Sequence, residues 1–181
     1  MDIVPDTKDW TWVLHRPCED CGFDPQRVRG IDVASMLRTS AAVWQQELRR
    51  ADVRVRPRPS TWSPLEYGCH VRDVCCRFDA RLRLMLDKDD PLFESWDQDA
   101  TALESRYGEQ DPAVVAGELS EAADTLAEHF DAVTGPQWQR SGRRSDDAQF
   151  TVDSIAVYFI HDVLHHLHDV AASTSPAIPS G

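Results

Sequence analysis

Between Tyr158 and Val170 an apolar run carries four of the chain's seven histidines, His161, His165, His166 and His168. The run reads as a helix, and imidazoles alternating with Val, Leu and Phe suit neither a solvated surface nor a purely apolar core. Such a helix must pack against other elements while its imidazoles find polar partners, and a metal ion held between helices meets both demands. His161 and His165 are four residues apart, so they lie one turn apart on one face, where two rings can converge on a divalent cation. A histidine-bearing surface or packing helix is the alternative reading.

The rest of the chain supplies helices for it to pack against. An apolar stripe of Ile31, Met36, Leu37, Val43, Trp44 and Leu48 predicts a first helix over Val28 to Ala51, ended before the Pro57 and Pro59 stretch. Ser63-Pro64-Leu65-Glu66 combines an N-cap, a first-turn proline and Glu at N3, which starts a second helix running to about Leu86. Asp111-Pro112 repeats the cap-plus-proline start for a third helix to Val133, and Gly135-Pro136 stops it. A short helix is expected near Asp99 to Tyr107, and 136–150 reads as a polar loop. Thr151 or Asp153 caps the last helix. The expected architecture is all-α: a leader over 1–27, a four-helix bundle over 28–172 and a flexible tail over 173–181.

Composition narrows the function. A net charge of −12 opposes nonspecific binding to nucleic acid or to an anionic membrane. No run approaches the roughly 18 apolar residues of a membrane span, and no secretion signal is evident. A cytoplasmic protein is expected, with its five cysteines as reduced thiols or metal ligands.

A third ligand for the His161 and His165 pair is sought in His70, early in the second helix and beside its apolar face, although packing or capping would also explain that residue. Trp62-Ser63-Pro64-Leu65-Glu66, then His70 with Asp73, and His161-Asp162-Val163-Leu164-His165-His166-Leu167 together resemble the DinB/YfiT-like superfamily of four-helix-bundle metalloproteins. The resemblance spans roughly 28–172. It implies a triad of one His from the second helix and a His-x-x-x-His pair from the last, carried here by His70, His161 and His165. It also implies a divalent metal, zinc or nickel. Where activity is known, it implies thiol-dependent transfer or isomerisation with mycothiol or bacillithiol, and some relatives have hydrolase-like activity. His166, about 100° around the helix from His165, takes no role in this assignment. His168 could act as an acid/base or a replacement ligand. Asp169 could orient His165 from the second sphere, or simply be solvated.

Two further groups stand apart. Cys18 and Cys21 have the spacing of half a zinc knuckle, and His15 or Cys69 could complete a second, structural metal site. Redox chemistry or plain free thiols are the alternatives. Cys75 and Cys76 read as packing residues. Arg140, Arg143 and Arg144 could clamp a carboxylate of a thiol or substrate, or neutralise Asp146 and Asp147. Trp62 is expected as a pocket wall.

The resulting expectation is a metal-dependent thiol S-transferase or thiol-dependent isomerase acting on a small electrophile, with a homodimer allowed. A hydrolase of the same fold, or a noncatalytic metal-stapled binding or stress-response protein, stands as the alternative.

Overall fold

The computed structural model describes residues 9–172. The expected tail and the first eight residues of the leader lie outside the described residues. Four long helices form the body: α1 (Gly30–Glu47), α2 (Pro64–Asp87), α4 (Pro112–Asp131) and α5 (Val152–Ala172), with a short α3 (Gln98–Glu104) in the long connection between α2 and α4. α4 packs against α1 and α2, and so does α5, which places α1 and α2 diagonally across the bundle. Among the described residues no helix is long and apolar enough to cross a membrane.

The helix starts follow the capping chemistry. Ser63 Oγ accepts the Glu66 N–H at 3.3 Å while the Glu66 carboxylate accepts the Ser63 N–H at 2.8 Å, with Pro64 at the first helical position. Thr151 caps α5: its Oγ1 accepts the Ser154 N–H at 3.1 Å. Asp153 serves a different purpose, accepting the Gly30 N–H at 2.8 Å and so joining the start of α1 to the start of α5. Trp44, Leu37, Leu82, Leu119, Leu126, Phe159 and Ile160 fill the interior, all fully buried. Each such side chain contributes about 1.5–3 kcal/mol of transfer free energy.

One expectation is corrected. Residues 136–150 are not a plain loop: β2 (Ser141–Arg144) pairs antiparallel with β3 (Gln149–Thr151) and parallel with β1 (Leu92–Phe93). Gly142 makes this possible, because a Cβ at that position would sit 2.8 Å from Met85 Cγ. The small sheet thus closes tightly over the end of α2 and leads directly into α5.

The leader lies along the bundle. A 3-10 turn at Trp10–Leu14, capped by Asp9, packs on α5, and a second turn occupies Pro25–Arg27.

Candidate metal centre

α5 carries two adjacent rows of polar side chains, each with helical four-residue spacing. One row holds His161 and His165; the next, about 100° around the helix, holds Asp162 and His166, followed by Asp169. The bundle sends the two rows to different partners. His70 of α2, one turn beyond the Glu66 cap, meets the second row. Its Nε2 is 3.3 Å from Asp162 Oδ1, and its ring lies 4.8 Å from that of His166. His166 Nε2 is 3.7 Å from the same Asp162 oxygen. Three donor groups therefore surround one point between α2 and α5.

The expected triad is accordingly divided. His161 and His165 are brought together, with ring centroids 5.2 Å apart, but they group with Cys18 and Cys21, whereas His70 groups with Asp162 and His166. The reason is rotational: the face of α5 turned to α2 is one residue on from the His161 and His165 row. His166, which the sequence reading left without a role, is beside His70. The signal was present in Asp162-x-x-x-His166, which repeats the four-residue spacing with a carboxylate in the leading position.

The surroundings favour ligation. His70 is fully buried, and its Nδ1 has no hydrogen-bond partner among the described residues. Trp96 stacks on it at 5.3 Å with an interplanar angle of 5°, and Trp62 packs at 5.4 Å. Burial pushes His70 below its ordinary value, outweighing the pull of Asp162. Asp162 is ionised: burial opposes its charge, but His70 and His166 hold the carboxyl below the usual range. Asp169 Oδ2 lies 3.1 Å from His166 Nδ1, which fixes that ring and leaves its Nε2 facing Asp162. Asp169 is also 3.8 Å from His165 Nε2, the contact expected for it, but the His166 contact is the closer.

Asp162 and His166 line a cavity of about 520 Å³, as do His161 and His165, and its other walls include Trp62, Tyr67, Trp96, Arg81, Arg144 and Tyr158. Trp62 is thus where it was expected. Of the three expected arginines only Arg144 reaches the cavity, donating to Tyr158 Oη at 3.3 Å and to Asp146 at 2.8 Å. Arg140 is spent on the backbone carbonyls of Met85 and Lys88, and Arg143 pairs with Asp90 at 2.7 Å. Arg81 is the cation the sequence reading missed. It is 7% exposed, donates to the Glu94 carbonyl, and has no carboxylate partner among the described residues. Burial pulls its pKa down to about 10, helped by Arg77 and Arg144. A buried guanidinium beside a second one is a receptor for an anionic group.

His168 is exposed and does not line the cavity, so the acid/base role offered for it has no geometric basis. Cys69 is buried, with its Sγ toward the Tyr107 carbonyl at 3.8 Å and Gln110 Oε1 at 3.6 Å; like exposed His15, it falls outside the Cys18 and Cys21 group.

Comparison with known proteins agrees with this architecture. The DinB superfamily profile matches residues 37–170. The structure of YfiT from Bacillus subtilis, described as a probable metal-dependent hydrolase with an unusual four-helix bundle topology, superposes with a TM-score of 0.72 at 17% identity, covering 88% of this chain and 91% of that one. A search of curated proteins finds no match.

Proposed function

Because the chain belongs to the DinB superfamily, we propose that it is a metal-dependent hydrolase of a small anionic substrate, with His70, Asp162 and His166 as the metal ligands. The observation that carries this reading is the meeting of the wholly buried His70 with His166 and the ionised Asp162 carboxylate, the last two lining the cavity. Two His and one carboxylate is a donor set of catalytic zinc sites, which keep a position open for water or substrate. A divalent cation there supplies Lewis acidity, lowering the pKa of a bound water or thiol toward neutrality.

The chain's own groups do the remainder. Arg81 and Arg144 bind and orient the anionic end of the substrate. Trp62 and Trp96 wall the His70 side of the cavity and exclude bulk water from it, which strengthens every charge interaction inside. Asp169 holds the His166 ring in its ligating orientation.

Hydrolysis is favoured over thiol transfer by the donor set itself. Two imidazoles and one carboxylate is the set found in metalloprotease-type zinc centres that activate water. Transfer to mycothiol or bacillithiol would use the same centre, and the assay separates the two. Metal-stripped protein reloaded with zinc or nickel is offered a panel of small anionic esters and amides, with and without added thiol. Thiol-independent turnover that returns with metal and disappears in His70→Ala is expected. Turnover that requires a thiol would overturn hydrolysis in favour of S-transfer, and full metal occupancy of the cavity site in His70→Ala would overturn the ligand assignment.

A further inference from the structure

The second cluster on α5 has a different character. Cys18, Cys21, His161 and His165 each offer one ligand atom, and these four atoms all lie within 4.8 Å of one another. Cys18 Sγ is 3.6 Å from His165 Nδ1. His161 is only 4% exposed, and its Nε2 is buried without a hydrogen-bond partner among the described residues. A buried ring nitrogen with nothing to bond is costly in an apolar setting, and this ring stands beside two sulfurs and a second imidazole.

The backbone around the two cysteines is shaped to present both sulfurs to one point. The Gly22 N–H donates to the Cys18 carbonyl at 2.8 Å and the Cys18 N–H to the Phe23 carbonyl at 2.8 Å, closing a tight turn. Gly22 takes φ +75°, a left-handed conformation open to glycine at little cost. The Phe23 backbone N–H is directed at the Cys21 sulfur. Phe23 and Trp10 then close the cluster from outside, with their rings 5.2 and 5.7 Å from His161.

We infer that Cys18, Cys21, His161 and His165 form a structural zinc site that fastens the N-terminal segment to α5. The spacing is Cys-x-x-Cys on a turn and His-x-x-x-His on a helix, the two half-sites of a closed tetrahedral Cys2His2 centre, which has no vacant position for substrate. This site shares no ligand with the His70 group, although His161 and His165 also line the cavity, and it does not depend on the reading of that centre as a hydrolase. It also accounts for the two rows of α5. One row holds the ion that does chemistry, and the other holds the ion that secures the wall, because Trp10 both packs 5.1 Å from His165 and lines the cavity. The tie joins parts of the chain 147 residues apart, so its loss frees the leader without opening the bundle core.

The test uses the full chain with cobalt in place of zinc, beside elemental analysis of protein purified from zinc-supplemented cells. Expected are two metal equivalents and, with cobalt, a near-ultraviolet thiolate charge-transfer band with intense tetrahedral d–d bands. His70→Ala should lose one equivalent and keep the thiolate band. Cys18→Ser/Cys21→Ser should lose one equivalent and the band together, and become more sensitive to proteolysis within the leader. If that double variant does not fold, the wild-type and His70→Ala spectra decide the question alone. Absence of a thiolate band in cobalt-loaded wild-type protein would overturn the site, as would a Cys18–Cys21 disulfide in protein purified without oxidant.

Discussion

Replacing Glu66 probes the link between the start of α2 and the metal centre. Its carboxylate accepts the Ser63 N–H at 2.8 Å and receives the Arg56 guanidinium, including Nε at 2.9 Å, while only 8% of the Glu66 side chain is exposed. Loss of the capping contact costs about 1 kcal/mol. Loss of the ion pair adds about 1–2 kcal/mol, less than a fully buried pair would, because the Arg56 side chain is 35% exposed. Glu66→Ala should therefore destabilise the fold by about 2–3 kcal/mol, whereas Glu66→Gln, which keeps an acceptor for Ser63, should cost only about 1 kcal/mol. The pH dependence has a definite sign. Burial works to raise the Glu66 carboxyl, but Arg56 and Ser63 outweigh it and hold it below its ordinary 4.5. A carboxyl whose folded pKa lies below its unfolded value adds stability above the unfolded value and loses it as pH falls through the folded one. The gap between wild type and Glu66→Gln should be constant from about pH 5.5 to 8 and narrow progressively as pH falls below 4.5. Urea unfolding followed by circular dichroism, with chelator present so that metal binding does not contribute, measures all three proteins. A Glu66→Ala cost under about 0.5 kcal/mol, or a Gln gap that does not shrink in acid, would refute the reasoning.

Two further outcomes follow from the site. Asp169→Ala should weaken metal binding at the cavity centre by about 10–100-fold through loss of the His166 hydrogen bond, with an unchanged far-ultraviolet spectrum; competition with a chromophoric chelator reads the affinity, and a wild-type value would remove Asp169 from the second sphere. Arg81→Met, which keeps the packing on Phe78 and Phe93, should raise KM for an anionic substrate by about 10-fold or more with a smaller change in kcat, while Arg143→Gln, on the outer strand, should change neither.

Much of this protein is local and therefore legible in its sequence. Ser63-Pro64-Leu65-Glu66 and Asp111-Pro112 start helices through contacts made within one turn, and both helices begin where those residues stand. The apolar stripes require partners on one side, so a bundle follows, and His70 was expected to face the histidines of the last helix, where its ring lies 4.8 Å from that of His166. The strands were not legible, because Leu92–Phe93 and Gln149–Thr151 are too short for alternation to show, and their pairing depends on Gly142 fitting against Met85. Helical spacing marked His161 with His165 and, equally, Asp162 with His166, but spacing along one helix carries no information about which row faces another helix. That choice is a rotation of about 100°, set by how Val163, Phe159 and Ile160 bury themselves against the bundle. Tertiary packing alone turned Asp162 and His166 to His70, and brought Cys18 and Cys21 from the far end of the chain to His161 and His165.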